Sequence, residues 1–283
     1  GRFDLINCVG VLHHMPDPIK GIQALATKLA PGGLLHIFVY AALGRWEISL
    51  MQQAIAMLQG EHRGDYRDGV QVGRQLFGAL PETNRIVKRD KERWAVENHQ
   101  DECFADMYAH PQEVDYTIDT LFELIDASGL EFVGFSNPRY WDLNRLVGQS
   151  DDVMARAQTL GTREQYRLIE LLDPELTHYE FFLSRPPLPQ TDWSQSEMLL
   201  SAVPSRHACM SGWPAKSFFD YDYQLVKLTE PEYDFLNRCA DPGITAADTL
   251  AELIADTDFT LDDVRSLLRR QLIVLSPTIP TTP

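Results

Sequence analysis

FDLINCVGVLHHMPDPIKGIQALATKLAPGGLLHIFVY, residues 3–40, reads as an apolar strand, a polar His-His turn, a helix and a second apolar strand. Phe3, Leu5, Ile6, Val9 and Val11 form a nearly continuous apolar run, the pattern of a strand buried on both faces of a parallel sheet. Asp17 suits the cap of the helix that follows, and Pro18 suits its first position. Ile19, Ile22, Leu25 and Leu29 recur at helical spacing on one face, and Pro31, Gly32 and Gly33 end the helix. Leu34 to Tyr40 is apolar again. Strand, helix, strand implies a parallel pair joined by a right-handed crossover.

This stretch resembles the second half of the catalytic domain of class I S-adenosylmethionine-dependent methyltransferases. Phe3-Asp4-Leu5-Ile6 is similar to the family's fourth strand and Gly10-Val11-Leu12-His13-His14 to the turn after it. Leu29-Ala30-Pro31-Gly32-Gly33 is similar to the approach to its fifth strand. The family also carries a glycine-rich loop after its first strand and a ribose-holding acid after its second. Neither has a counterpart here, and no later strand runs into G-x-G-x-x-G. The resemblance therefore predicts the C-terminal portion of a longer protein, without the first three strands. The expected fold class is α/β: an incomplete doubly wound methyltransferase sheet with helical insertions, plus a small, mainly helical, winged-helix-like C-terminal domain.

Residues 1–187 are read as the methyltransferase half-domain, 188–217 as a linker and 218–283 as the small domain. Within the first, residues 117–135 suit a helix capped by Thr117, with Leu121, Phe122, Leu124 and Ile125 inward and Gly129 as its stop, then a strand at Leu130 to Phe135. Residues 41–116 form an insertion. It opens with a helix whose Met51, Ala54, Ile55 and Leu58 share a face, and a second helical stretch carries Val72, Leu76 and Leu80. An insertion leaving the carboxyl end of a parallel strand stands over the ligand crevice, so a lid is expected. Thr162 and Gln165 suggest a capping box before Leu168, Ile169, Leu171 and Leu172. Tyr179 to Leu183 suits the family's last, antiparallel strand, expected at the sheet edge, with Pro186 and Pro187 ending its pairing. In the tail, Thr229 with Glu232, Thr245 with Asp248, and Thr260 with Asp263 mark three helix starts, and Leu272 to Leu275 a strand.

Of the 283 residues, 41 are Asp or Glu and 25 Lys or Arg, a net charge of −16. Such a balance repels phosphate backbones and disfavours nucleic acid as a partner. The basic run Arg85, Lys88, Arg89, Lys91 and Arg93 is interspersed with acids and reads as a solvated helix face. No apolar run approaches the length needed to cross a bilayer. Cys8, Cys103, Cys209 and Cys239 are scattered, as in a reduced, cytoplasmic protein.

The resemblance implies S-adenosylmethionine as cofactor and a methyl acceptor, a small molecule or a protein side chain, as substrate. The backbone of Cys8, Val9, Gly10 and Leu12 would then line the cofactor. His13 or His14 is placed to take a proton, being titratable near neutrality, or else to pack and cap. Tyr40 faces the same crevice from the next strand end, and Arg45 suits either an anion or solvent. His99, Asp101, Glu102, Cys103, Asp106 and His110 are the densest polar cluster; their spacings match no common zinc pattern, so no metal is expected, and Asp106 and His110 are read either as a lid segment over the acceptor or as surface residues and a helix cap. A noncatalytic interaction module, self-association through the insertion or the tail, and a DNA-binding regulator stay open as alternatives.

Overall fold

Strand β1 (Phe3–Val9) runs parallel to β2 (Leu29–Tyr40), and α1 (Pro18–Lys28) joins them. The computed structural model describes residues 1–94, 96–188, 191–208, 210, 213–219, 224–244 and 247–278. Cys209 and Thr245 lie outside the described residues. The chain divides into two units, Gly1–Leu188 and Pro189–Pro283.

In the first unit Asp17 caps α1 by accepting a hydrogen bond from the Lys20 amide, 3.0 Å. The helix ends at Lys28, earlier than Pro-Gly-Gly suggests. Leu29 already pairs with Phe3, and the next pair is Leu5 with Leu34, so Pro31, Gly32 and Gly33 make a bulge inside β2. The chain continues through α2 (Trp46–Gln59), α3 (Tyr66–Ala79), α4 (Arg85–Arg93), α5 (Asp101–Tyr108), α6 (Ile118–Ser128), β3 (Glu131–Phe135), α7 (Asn144–Val147), α8 (Asp151–Ala157), α9 (Thr162–Leu172) and β4 (His178–Ser184). Thr117 caps α6 and Gly129 closes it in the left-handed conformation, φ +70°.

The sheet order is β1-β2-β4-β3. Two expectations are corrected by it. First, β4 is not at the edge: it pairs antiparallel with β2 along Leu34 to Tyr40 and with β3 on its other side. Tyr179, Phe181 and Leu183 on its inward face are fully buried, each burial worth roughly 1.5–3 kcal/mol. Second, β1 is a margin strand, bonded among the described residues to β2 alone. Phe3 and Leu5 are 57% and 62% exposed, and Val9 and Val11 about half, where burial on both faces was expected.

Leu58 is exposed and Gln59 buried in its stead, because Ile48, Met51 and Ile55 already fill that stripe of α2. The Gln59 amide donates to the carbonyls of His62 and Asp65 and to Asp68, closing the turn into α3. Gly161, not Thr162, caps α9, with Glu164 accepting from its amide at 2.8 Å. Leu171 and Leu172 are exposed, and buried Glu170 takes hydrogen bonds from the Ile118 amide and the Tyr179 hydroxyl instead.

The second unit comprises α10 (Ser196–Ser201), β5 (Val203–Arg206), β6 (Ser217–Phe219), β7 (Leu225–Lys227), α11 (Glu230–Arg238), α12 (Leu250–Ile254), α13 (Leu261–Arg269) and β8 (Ile273–Ser276). Thr229 with Glu232 and Thr260 with Asp263 form capping boxes. The middle helix starts at Thr249 with Glu252, four residues past the expected pair. The stretch read as a linker contributes α10 and β5. Strand β5 pairs antiparallel with β8, and Leu199 is buried in a core with Leu236, Leu250, Val264, Leu267 and Leu272.

Candidate active site

At the carboxyl end of β1 the Gly10 amide donates to the Phe38 carbonyl at 3.3 Å, and Gly10 adopts φ +70°. A Cβ at this position would meet nothing within 4 Å, so the backbone lies open. Val9 and Val11 beside it are exposed, whereas Cys8 and Leu12 turn into the core. Burial pushes the Cys8 thiol pKa up. Of the four residues expected around a cofactor, Val9 and Gly10 form the open rim, and Cys8 and Leu12 anchor it.

Leu12–His14 is a single 3-10 turn. His13 is fully buried, its ring 4.2 Å from that of His14 and 4.0 Å from that of Tyr40. Neither ring nitrogen has a hydrogen-bond partner among the described residues. Burial, reinforced by His14, Arg45 and His110, drives its pKa down to about 3. His13 is thus neutral near pH 7 and too weak a base to gather protons there.

This has a consequence for stability. The unfolded chain protonates this imidazole below its ordinary 6.5 and the folded chain does not, so the contribution is complete above pH 6.5 and is lost as the pH falls toward 3. Going from pH 7 to 5 should cost about 1–2 kcal/mol through this group. Urea unfolding at both pH values checks it: His13→Phe should lower stability on acidification less than the wild type does, and equal losses would contradict the assignment.

His14 is half-buried. Its Nδ1 lies 3.1 Å from the Gln112 carbonyl, which only accepts, so Nδ1 carries the proton and Nε2 keeps a free lone pair. The Gln112 amide donates to His110 Nδ1 at 3.2 Å, which leaves the His110 proton on Nε2. One residue's backbone therefore fixes opposite tautomers in two rings whose centroids are 4.0 Å apart. The segment carrying Gln112 is itself docked: Val114 donates to the His13 carbonyl and Tyr116 to that of Tyr40.

Arg45, open to solvent in one reading of the sequence, is 3% exposed. Its guanidinium carbon sits 3.5 Å from the centre of the Tyr40 ring. Nη2 donates to Glu113 at 2.9 Å, and Nε is 3.6 Å from Asp115. Gln52 donates to the same Glu113 oxygen at 3.0 Å. Burial, with Glu113 close by and Arg45 opposing, raises the Asp115 pKa to about 6. The Tyr40 hydroxyl is raised by burial, by the charges of Asp106, Glu113 and Asp115, and against Arg45.

The polar cluster of the insertion disperses. His110 joins His14, and Asp106 is exposed on α5, acting on Tyr40 only through its charge. Asp101 pairs with Arg74, His99 bonds to the Val96 carbonyl, and Cys103 is exposed. Among the described residues no three His, Cys, Asp or Glu side chains converge as metal ligands. The basic run of α4 divides: Arg85, Lys88 and Lys91 are exposed, Lys91 pairing with Glu82 at the surface, whereas half-buried Arg89 pairs with Glu47 and Glu175 and Arg93 donates to the Gly44 and Glu175 carbonyls. No helix among the described residues is long and apolar enough to cross a membrane.

Residues 1–76 match a family described as a methyltransferase domain. An uncharacterized protein of Synechococcus sp. is 57% identical over 277 residues, 98% of this chain and 66% of the relative. The ubiquinone biosynthesis O-methyltransferase of Colwellia psychrerythraea is 49% identical over 35 residues, 12% of this chain and 14% of that protein. The solved structure of PKMT2 from Rickettsia typhi aligns with a TM-score of 0.60 at 12% identity, over 100% of this chain and 59% of that one. A second structure of the same protein, in complex with AdoHcy, aligns at 0.58 and 14%. The chain thus spans about two thirds of the Synechococcus relative and less of the solved structure.

Proposed function

We propose, on the match of residues 1–76 to a methyltransferase domain, that the chain belongs to the class I S-adenosylmethionine-dependent methyltransferases and supplies the acceptor side of a methyl-transfer pocket. The acceptor is a small molecule or a protein side chain. The observation that carries the reading is the open rim at Val9 and Gly10 beside two histidines held in opposite tautomers.

The residues present fit one side of the cofactor. Exposed apolar side chains and an uncovered glycine backbone at the end of β1 suit a flat organic group, and Val9 and Gly10 would hold it. When bound, S-adenosylmethionine supplies an electrophilic methyl group. The chain's own residues do the rest. His14 Nε2 accepts the acceptor's proton, and the His110 Nε2–H donates a hydrogen bond that orients the acceptor. Tyr40, clamped by Arg45, walls the pocket against water. His13 packs beneath them as a neutral ring.

The remaining third of the relative's length is proposed to hold the other half of the cradle and to pair with the open edge of β1. Residues 41–116 act as the lid. The second unit, Pro189–Pro283, is proposed to be a small domain of winged-helix type that meets protein rather than DNA, since Arg265 and Arg270 are already paired with Asp262 and Glu232. A cytoplasmic location is proposed on the free cysteines Cys8, Cys103 and Cys239. Equilibrium titration of S-adenosylmethionine into protein of the relative's full length is the test. Saturable binding at micromolar cofactor is expected, and weak binding or none for the 283 residues alone. No binding to the longer protein at millimolar cofactor would contradict the proposal.

A further inference from the structure

A cleft of about 490 Å³ runs along α2 from Ser49 to Gln59, the size of a small-molecule site. His110, the ring partner of His14, lines it, with Ala56, Met57 and Pro111 as an apolar side. Arg63 lines it too, with its side chain exposed. The turn that carries Arg63 is braced. Gln59 donates to the carbonyls of His62 and Asp65 on either side of it, at 3.3 and 3.0 Å, and the Asp65 amide donates to the His62 carbonyl at 2.9 Å. Gly64 follows at φ +96°, and a Cβ there would lie 4.0 Å from Pro111, the neighbour of His110.

The Arg63 guanidinium makes no hydrogen bond or ion pair among the described residues. Glu113, the acid that lines the cleft, is engaged elsewhere: it accepts from Arg45 at 2.9 Å and from Gln52 at 3.0 Å, and it is hydrogen-bonded to the Asp115 carboxyl. Among the described residues the cleft therefore has one uncommitted fixed charge, and that charge is positive in a chain of net charge −16. Over most of such a surface an organic anion is repelled, so a guanidinium beside an apolar wall selects for one locally. Its planar fork suits a carboxylate or a phosphate, through two parallel hydrogen bonds. Resting on the methyl-transfer reading above, we propose that Arg63 is a specificity-determining residue that binds a carboxylate or phosphate of the acceptor. The acceptor is then a small organic anion with an apolar body. Its charge lies at Arg63, apart from the atom that faces His14 and His110.

Benzoate, benzyl alcohol and benzylamine share one body and differ in charge, and phenyl phosphate adds the second kind of anion. Ligand-observed NMR on the full chain, without cofactor, gives their relative affinities. The better of the two anions should bind about five- to tenfold more tightly than benzylamine, with benzyl alcohol between, and which anion it is names the group that Arg63 receives. Arg63 is exposed and unpaired, so Arg63→Gln should leave the fold intact, abolish the preference and leave benzyl alcohol unchanged. Arg67→Gln, the same loss of charge at an exposed arginine that lines a different cleft, should leave all four affinities unchanged. Benzylamine binding as tightly as both anions, no binding of any probe, an unchanged preference in Arg63→Gln, or an equal loss in Arg67→Gln would each overturn the proposal. Failure of the cofactor titration would strike the methyl-transfer reading and leave this series untouched, so the two are separable.

Discussion

Replacing Arg45 with alanine should destabilise the folded chain by about 3–5 kcal/mol, because it leaves two buried carboxyl groups without their cation. Glu113 is 5% and Asp115 13% exposed at the side chain, so water cannot take over the role of the guanidinium. The variant also loses the Arg45 stack on Tyr40 and the shared hold, with Gln52, on Glu113. The effect should depend on pH in a definite direction. Asp115 already carries a raised folded pKa of about 6, so its contribution is complete below its ordinary 3.8 and is lost as the pH rises through 6. Removing Arg45 takes away the one neighbour that lowers it. The gap between variant and wild type should therefore be wider at pH 7 than at pH 5. Urea unfolding at the two pH values measures it, and a loss below about 1 kcal/mol at pH 7 would mean the triad is solvated. Arg45→Lys, which keeps the charge but not the planar fork, should fall between.

Loss of the His14 imidazole should be the largest catalytic effect. His14→Ala in the protein of full length is expected to lower kcat by about 10²–10³ while leaving S-adenosylmethionine affinity within about twofold. The Gln112 carbonyl holds Nδ1–H and so presents Nε2 as the proton acceptor. His13 sits one residue earlier in the same turn, and its buried, neutral ring makes a different prediction: His13→Phe should cost less than about tenfold in kcat. Equal losses in the two variants would show that the turn acts through packing alone.

Much of the fold could be read from periodicity and caps. The strand-helix-strand unit, the Thr117 and Gly129 ends of α6, and the capping boxes at Thr229 and Thr260 lie in local sequence and appear in the structure. The errors are tertiary. An apolar run such as Phe3 to Val11 reports what a strand can bury, not whether a neighbour covers it. Nor does YEFFL say which strands it will lie between, since antiparallel pairing is chosen by partners distant in the chain. Pro31-Gly32-Gly33 reads equally as a stop or a bulge.

The site was legible in half. His13, His14 and Tyr40 stand at strand ends that topology brings together, and His110 reached them from the far side of the insertion. Glu113 and Asp115 were missed, and with them the reason for Arg45. The signal was present: two acids flanking Val114 alternate, and in an extended segment residues two apart face the same way. Asp106 was placed over the acceptor by proximity in sequence, yet it is exposed on α5 with only its charge reaching Tyr40.

The location of the methyl side of the pocket is the central claim, and photo-crosslinking addresses it most directly. Protein of the Synechococcus relative's length, irradiated with S-adenosylmethionine labelled on its methyl group and then mapped by peptide, should carry label on the segment from Cys8 to His14. Label confined to α3 and α5, or to the unit beyond Leu188, would contradict the account.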